Sequence, residues 1–146
     1  MSVQPMKIAQ TLAASFLMGQ VVPPRTSYET KSSMLAGVLL MMFAEDADKM
    51  AERLHDENAA MREIFADASG LIEGDLASRI EAAVVSQGSL RVSVLQAEND
   101  GMRTLFAELH AAVEEMTSSE ARALEQRLWE ELKASTERRS LASQPL

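Results

Sequence analysis

The sequence predicts an all-α fold, a bundle of four to five main helices, and three observations lead to this prediction. Apolar residues recur three and four positions apart along most of the chain, and the alternating runs typical of strands are almost absent. Residues that favour helices are abundant, whereas the 146 residues include six Gly and four Pro. A helical stretch also occurs twice, as LHDENAAMREIFA at 54–66 and LQAENDGMRTLFA at 95–107. A chain of this length is expected to form a single helical domain, 1–146.

The first helix is expected within residues 1–22. Pro5 suits the first helical position, and Ile8 and Leu12 follow at helical spacing. A lysine before an apolar run is also a feature of signal peptides, but the polar residues within this run favour a helix of the folded protein. The segment Val-Val-Pro-Pro at 21–24 predicts an extended linker, because proline disfavours helix in the residue before it.

A long helix is expected within residues 26–69. Thr26 and Glu29 have the spacing of a capping box, so the helix should begin there. If unbroken it would be on the order of 60 Å long, which is long for a small domain. We therefore expect either a kink near Gly37 or Glu45, or a second copy of the chain that covers the protruding part.

One segment of this helix, MLAGVLLMMFA at 34–44, is apolar on every side. Such a segment is typical of a helix that is buried all round, within its own chain or against another subunit. It is too short to span a bilayer. We expect a homodimer that buries part of it, and the candidate interface residues are Met34, Leu35, Val38, Leu39, Met42 and Phe43.

The second copy lies in a helical region at 75–116. Asp75 is expected to cap its start, and Gly88 with the serine after it predicts a break or bend. A last helix is expected at 117–139, beginning with a capping box of Thr117 and Glu120. One face of this helix carries Ala121, Leu124, Leu128, Leu132 and Ser135. The tail at 140–146 has little to bury and is expected to be flexible.

The repeated stretch combines an apolar seam with polar residues at its edges. At 100° per residue, Leu54, Met61 and Phe65 fall within about 60° of one another, and a carboxylate and an amide flank them. A buried carboxylate is costly unless it is paired. The recurring polar residues are Glu57, Asn58 and Arg62 in the first copy and Glu98, Asn99 and Arg103 in the second.

Two interpretations of this pattern remain open. In the first, the two copies are an internal duplication that packs antiparallel about a pseudo-two-fold axis, with Glu57 facing Arg103 and Glu98 facing Arg62. In the second, these common helix residues recur by chance and the carboxylates lean outward. Pairs of the first kind would fix the register of the helices more than they would stabilise the fold.

Composition excludes several functions. The formal charge of −8 and the isoelectric point near 4.8 argue against a nucleic-acid partner, since phosphate binding needs a basic surface. The sequence has no cysteine, so it has neither disulfide nor thiolate metal site, which fits a cytoplasmic protein. No phosphate-binding loop or nucleophile with a second base is evident. We expect no cofactor and no membrane span.

The histidines are weak candidates for a metal site. Glu52 and His55 have the spacing of a helical ligand pair, but the helical wheel turns them away from the seam toward solvent. His110 and Glu114, one turn apart, fit a surface pair.

The favoured function is therefore non-enzymatic, through self-association or another protein–protein interaction. A variant is a small acidic chaperone or adaptor that holds an amphipathic helix of a partner. The alternative is a bundle that binds a small apolar ligand or a metal ion, with the repeated glutamates and arginines as polar anchors.

Overall fold

The computed structural model describes residues 4–20, 26–86 and 88–142, and in these ranges the chain is all-α with no strand. The all-α prediction is confirmed. The helices are α1 (Pro5–Leu17), α2 (Ser27–Asp67), α3 (Gly74–Ala83), α4 (Val92–Glu114) and α5 (Ser119–Arg138). No helix among these is both long enough and apolar enough to cross a membrane.

The residues divide into two compact units. One, called here the N-terminal unit, comprises the described residues up to 50 together with 140–142, and the other, called here the repeat unit, comprises the described residues of 51–139. Helix α2 contributes its first half to the N-terminal unit and its second half, with the first copy of the repeated stretch, to the repeat unit. The single-domain organisation and the internal duplication stay predictions.

Helix α2 begins as the sequence predicts. Thr26 N–H donates to Glu29 Oε2 at 2.9 Å, and Glu29 N–H donates to Thr26 Oγ1 at 3.1 Å, which is a complete capping box. The helix then continues without interruption past Gly37 and Glu45 to Asp67. No helix boundary therefore falls at either residue, and the two expectations for this long helix, a kink or a covering second copy, stay predictions.

Helices α1 and α2 approach closely at Gly37. A Cβ atom added there would lie 2.7 Å from Leu17 Cγ and 3.0 Å from the Ala13 carbonyl oxygen, so only glycine fits. Ser33 Oγ, one turn before Gly37, donates to the Phe16 carbonyl oxygen at 2.9 Å. At Ser33 and Gly37, therefore, α2 presents small residues to α1.

Two helix caps differ from the prediction by one or two residues. Asp75 does not cap α3: the N-cap is Glu73, and Asp75 lies in the first turn, 3.4 Å from Arg79. In α5 the cap is Ser118 instead of Thr117, and its Oγ accepts from the Ala121 N–H at 3.1 Å. Neighbouring residues can each cap a helix, so the spacing alone does not choose between them.

The break in the second helical region is present. Helix α3 ends at Ala83, α4 begins at Val92, and Gly88 between them has a φ of 71°, a conformation that favours glycine. The core of the repeat unit forms from α2, α3, α4 and α5, and it includes Met61 and Phe65 of the predicted seam, whose Leu54 is buried as well. Other buried members include Ile64, Met102, Phe106, Leu109, Leu124 and Leu128.

Two other expectations concern segments at the limits of the described residues. The predicted linker at 21–24 lies outside them, as do residues 143–146 of the tail. Within the described part of the tail, the Ala142 N–H donates to Glu45 Oε1 at 2.8 Å.

Candidate functional site

The Glu57 side chain is the most enclosed charge in the described part of the repeat unit, with 1% of its surface exposed. It lies on the α2 face that packs into the core, between Leu54 and Met61 in sequence. Burial of a carboxylate at such a position is tolerated only when its oxygen atoms are hydrogen-bonded and its charge is compensated. The surrounding residues meet both requirements.

Two arginines compensate this charge. Arg103 Nη2 donates to Glu57 Oε2 at 2.9 Å. Arg139 binds both oxygen atoms, with Nε 3.0 Å from Oε1 and Nη2 2.8 Å from Oε2. Ser135 Oγ donates to Oε1 at 3.2 Å and Asn99 Nδ2 donates to Oε2 at 3.2 Å, so the carboxylate accepts five hydrogen bonds. Its hydrogen-bonding capacity is fully used.

The two repeated asparagines are buried beside Glu57 and connect the helices. Asn99 Nδ2 donates to Asn58 Oδ1 at 2.9 Å, and Asn58 Nδ2 donates to the Leu95 carbonyl oxygen at 3.0 Å. Asn99 Oδ1 in turn accepts from Arg103 Nε at 2.9 Å. The amides therefore link the first copy to the second and orient the guanidinium that binds Glu57.

Both ion pairs that the sequence predicted are present. Arg103 lies on Glu57, and Arg62 Nη2 lies 2.9 Å from Glu98 Oε2, where 9% of the Glu98 side chain is exposed. From Glu57 to Arg62 the residue number in α2 rises by five, while the number of the partner in α4 falls by five. The two copies therefore pack antiparallel, and the glutamate of each copy pairs with the arginine of the other, as the first interpretation required. The carboxylates do not lean outward, as the second interpretation expected, but whether the two copies arose by duplication stays a prediction.

The Arg62–Glu98 pair lies at the edge of a groove of about 600 Å³. Apolar side chains of α3 and α4 and the segment after α3 form most of its wall, and Arg79 lies at its rim. Arg79 donates to both oxygen atoms of Glu108 at 2.7 and 2.6 Å. The first copy of the repeated motif therefore faces a third helix, α5, at Glu57. The second copy faces an open groove at Glu98.

The sequence interpretation missed Arg139 and Glu131, and it placed Ser135 only on the apolar face of α5. The available signal was the spacing of that face, since Arg139 follows Ser135 by four residues and lies on the same side. The sequence instead predicts Arg139 as the last residue before a flexible tail. Glu131 lines a small cavity beside Glu57 and forms an ion pair with Arg138.

The pKa values of Glu57 and Glu131 shift in opposite directions. Burial acts to raise the pKa of Glu57, but hydrogen bonds and charge from Arg139 and Arg103 outweigh it and lower the pKa from 4.5 to about 2. For Glu131 burial prevails, and repulsion from Glu57 adds to it, so its pKa is raised despite the charges of Arg138 and Arg103.

This arrangement is suited to holding helices together and poorly suited to proton transfer. A general base needs a pKa near the working pH and a proton within reach, whereas the Glu57 carboxylate has a pKa of about 2 and has five donors on it already. The cavity that it shares with Arg103 and Glu131 has a volume of about 20 Å³, little more than one water occupies. What the cluster does chemically is fix α5 onto α2 and α4.

The candidate interface residues of α2 have a different environment. The side chains of Leu35, Leu39 and Phe43 are 59%, 56% and 61% exposed, and Met34 is half exposed. Val38 and Met42 are partly buried. The described part of the chain therefore covers one side of the apolar segment and leaves the side with Leu35, Leu39 and Phe43 exposed.

The histidines occupy contrasting positions. Glu52 and His55 are both exposed, as the helical wheel predicted. His110, expected in a surface pair, instead has a side chain that is 16% exposed, and its ring meets the Trp129 ring edge to face at a centroid distance of 5.1 Å. The expected pair of His110 with Glu114 is present at 3.6 Å, but the His110 side chain is less exposed than a surface position implies because Trp129 of α5 packs against it.

Comparison of the chain with protein-family models, with curated proteins and with solved structures finds no match.

Proposed function

We propose that this protein is non-enzymatic and acts through self-association, with the outer face of α2 in the N-terminal unit as the contact surface of a homodimer. The observation that carries the proposal is the row of Leu35, Leu39 and Phe43, each more than half exposed in the isolated chain. They are spaced by four residues and so lie on one side of the helix. A contiguous exposed apolar row of this kind marks an interaction site.

The position of this row relative to α1 supports the proposal. At 100° per residue, Gly37 lies about 200° from Leu35, so the row points away from the side of α2 on which α1 packs. Among the described residues of this unit, the buried positions of α1 and α2 are all small, namely Ala13, Gly37 and Ala44. Two helices that bury so little apolar surface gain little stability from each other. A further partner on the outer face would supply it.

A second copy of the chain fits this face better than a charged partner does. Between Lys31 and Glu45 the helix carries no charge, so two such faces can meet without repulsion although the whole chain has a formal charge of −8. A two-fold axis brings the same row against itself, apolar against apolar. An amphipathic helix of another protein would need a matching apolar row and is the other outcome that the experiment distinguishes.

The experiment is the molar mass in solution, measured by size-exclusion chromatography with light scattering. The wild-type protein is expected to be a dimer, and Leu39→Glu is expected to be a monomer that keeps its helical circular dichroism. Leu90→Glu is the matched control, because Leu90 is 71% exposed but lies in the repeat unit. A wild-type monomer at about 100 µM, far above the Kd of a stable dimer, contradicts self-association and leaves the partner helix. Dissociation by Leu90→Glu would locate the contact elsewhere.

A second candidate function rests on the groove beside Arg62 and Glu98. It is largely apolar, with Val85, Met102 and Leu105 in its wall and charged groups at the rim, which is the pattern of a site for a small ligand with an apolar body. Gly101 in α4 lines it and leaves room, since nothing lies within 4 Å of a Cβ added there. The apolar fluorophore anilinonaphthalene sulfonate tests this: binding that is lost in Gly101→Met and kept in Leu39→Glu supports the groove, and the reverse assigns the binding to α2.

A further inference from the structure

His110 and Glu114 of α4 and Glu125 of α5 form a cluster that the Glu57 network does not involve. One ligand atom from each residue can be chosen so that all three lie within 4.8 Å of one another. The first two are one turn apart on the same face of α4, and Glu125 reaches them from the neighbouring helix. One imidazole and two carboxylates are therefore gathered at the end of α4.

The ring nitrogen of His110 indicates that this cluster is more than a surface pair. His110 Nε2 is buried and has no hydrogen-bond partner among the residues that the structure describes. Glu114 Oε1 is 3.6 Å away, beyond hydrogen-bond distance. Buried polar atoms are almost always hydrogen-bonded, so one without a partner beside two carboxylates requires an explanation.

The ring is also held in place. Trp129 meets it at an interplanar angle of 85° and a centroid distance of 5.1 Å, so the imidazole is fixed by packing. Of the two carboxylates, Glu114 has 54% of its side chain exposed and is free to move toward Nε2. The cluster thus combines one positioned ligand with carboxylates that can adjust.

We infer that His110, Glu114 and Glu125 bind a divalent zinc ion. The donor set of one imidazole nitrogen and two carboxylate oxygens suits Zn²⁺, whereas Mg²⁺ and Ca²⁺ take oxygen ligands only. Tetrahedral coordination with bonds of about 2.0–2.1 Å brings ligand atoms to about 3.4 Å from one another, a closure of up to about 1.4 Å that rotation of the glutamate side chains supplies. Water completes the fourth position.

Binding would bridge the end of α4 to α5 and compensate two negative charges on adjacent helices. It would therefore stabilise the repeat unit when the ion is present, since a ligand that binds only the folded state shifts the unfolding equilibrium. This site lies in the repeat unit and is independent of the self-association proposed for α2.

The test uses the full-length protein and zinc chloride at neutral pH. Isothermal titration calorimetry is expected to show one site per chain, together with a higher melting temperature. Trp129 is the only tryptophan in the sequence, so a change in its fluorescence over the same titration reports on the neighbourhood of His110.

The variants separate this site from adventitious binding. His110→Gln and Glu125→Gln are each expected to weaken zinc binding by about 10- to 100-fold or more, because even residues that only support a ligand cost this much. The matched control is His55→Gln, which removes the other histidine of the sequence from an exposed position next to a glutamate at helical spacing. Circular dichroism confirms that each variant folds.

Two results would overturn the inference. The first is no heat and no change in fluorescence at zinc concentrations up to about 1 mM, at which even weak sites are occupied. The second is zinc binding that persists in both His110→Gln and Glu125→Gln. Loss of zinc binding in His55→Gln, with no change in Trp129 fluorescence in the wild type, would equally place the ion away from His110.

Discussion

The two copies of the repeated stretch carry the same polar residues in different surroundings. Glu57 is enclosed by α5, which brings Ser135 and Arg139 onto a carboxylate that Arg103 already binds. Glu98, at the equivalent position, is bound by Arg62 at the edge of the groove formed with α3. One carboxylate is therefore a fixed element of the core, and the other borders a surface cavity.

The difference shows that the repeated motif determines which residues form ion pairs. The neighbouring helix determines whether a pair is enclosed in the core or borders a groove. Within the antiparallel pair of α2 and α4, each glutamate faces an arginine of the other copy. The asymmetry arises outside the motif, from Arg139 at the end of α5. The first copy would thus contribute to stability, and the second would remain available to a ligand.

The largest effect is expected when Glu57 loses both of its cations. In Arg103→Met with Arg139→Met, the buried carboxylate keeps only Ser135 and Asn99 as donors, and we expect the free energy of unfolding to fall by about 3–5 kcal/mol. Chemical denaturation measures this loss. Adding Glu57→Leu to the same double variant should recover much of it, because no unpaired charge is then buried. A double variant as stable as the wild type would show that the network contributes nothing to folding.

The second prediction concerns pH. Since the pKa of Glu57 falls from 4.5 to about 2 on folding, its contribution is fully present above pH 4.5 and is lost as the pH falls toward 2. The shift corresponds to up to about 3 kcal/mol. Glu57→Gln should therefore flatten the dependence of stability on pH between 4.5 and 2. If the variant and the wild type lose stability in parallel over this range, another acid is responsible.

Glu131 provides an internal control for the measurement of stability against pH, because its ionisation changes the stability in the opposite direction. Its pKa is raised on folding, so its ionised form opposes folding, and stability should decrease as the pH rises from 4.5 through the raised pKa. Glu131→Gln should remove that decrease and leave the acid limb below pH 4.5 unchanged.

The helices and the two ion pairs could be predicted from the sequence because both depend on periodicity. The seam of Leu54, Met61 and Phe65 specifies which side of the helix is buried, and an antiparallel packing then places each glutamate opposite an arginine. The role of Arg139 could not be predicted in the same way. Its contact joins residues 82 positions apart and depends on which helix covers Glu57, and periodicity within one helix does not specify this.

The third prediction compares the arginines of the two copies. Arg62→Met removes the guanidinium from Glu98 at the edge of the groove, where rearrangement and water can compensate, and we expect a loss of about 1–2 kcal/mol. This is smaller than the effect of removing both cations of Glu57. Chemical denaturation of the two variants side by side gives the ranking. A loss from Arg62→Met that equals the loss from the double variant would mean that the groove does not admit water to Glu98.

The smallest expected effect distinguishes the copies at a single equivalent position, Ala60 in the first and Gly101 in the second. Glycine inside a helix costs about 0.5–1 kcal/mol relative to alanine. Gly101 has no positive φ, and a Cβ added there meets nothing within 4 Å, so Gly101→Ala should stabilise the protein by that amount. Ala60→Gly should destabilise it similarly, and both changes should shift the melting temperature in the corresponding direction. If Gly101→Ala stabilises the chain but weakens fluorophore binding in the groove, the second copy has kept its glycine for the ligand and not for the fold.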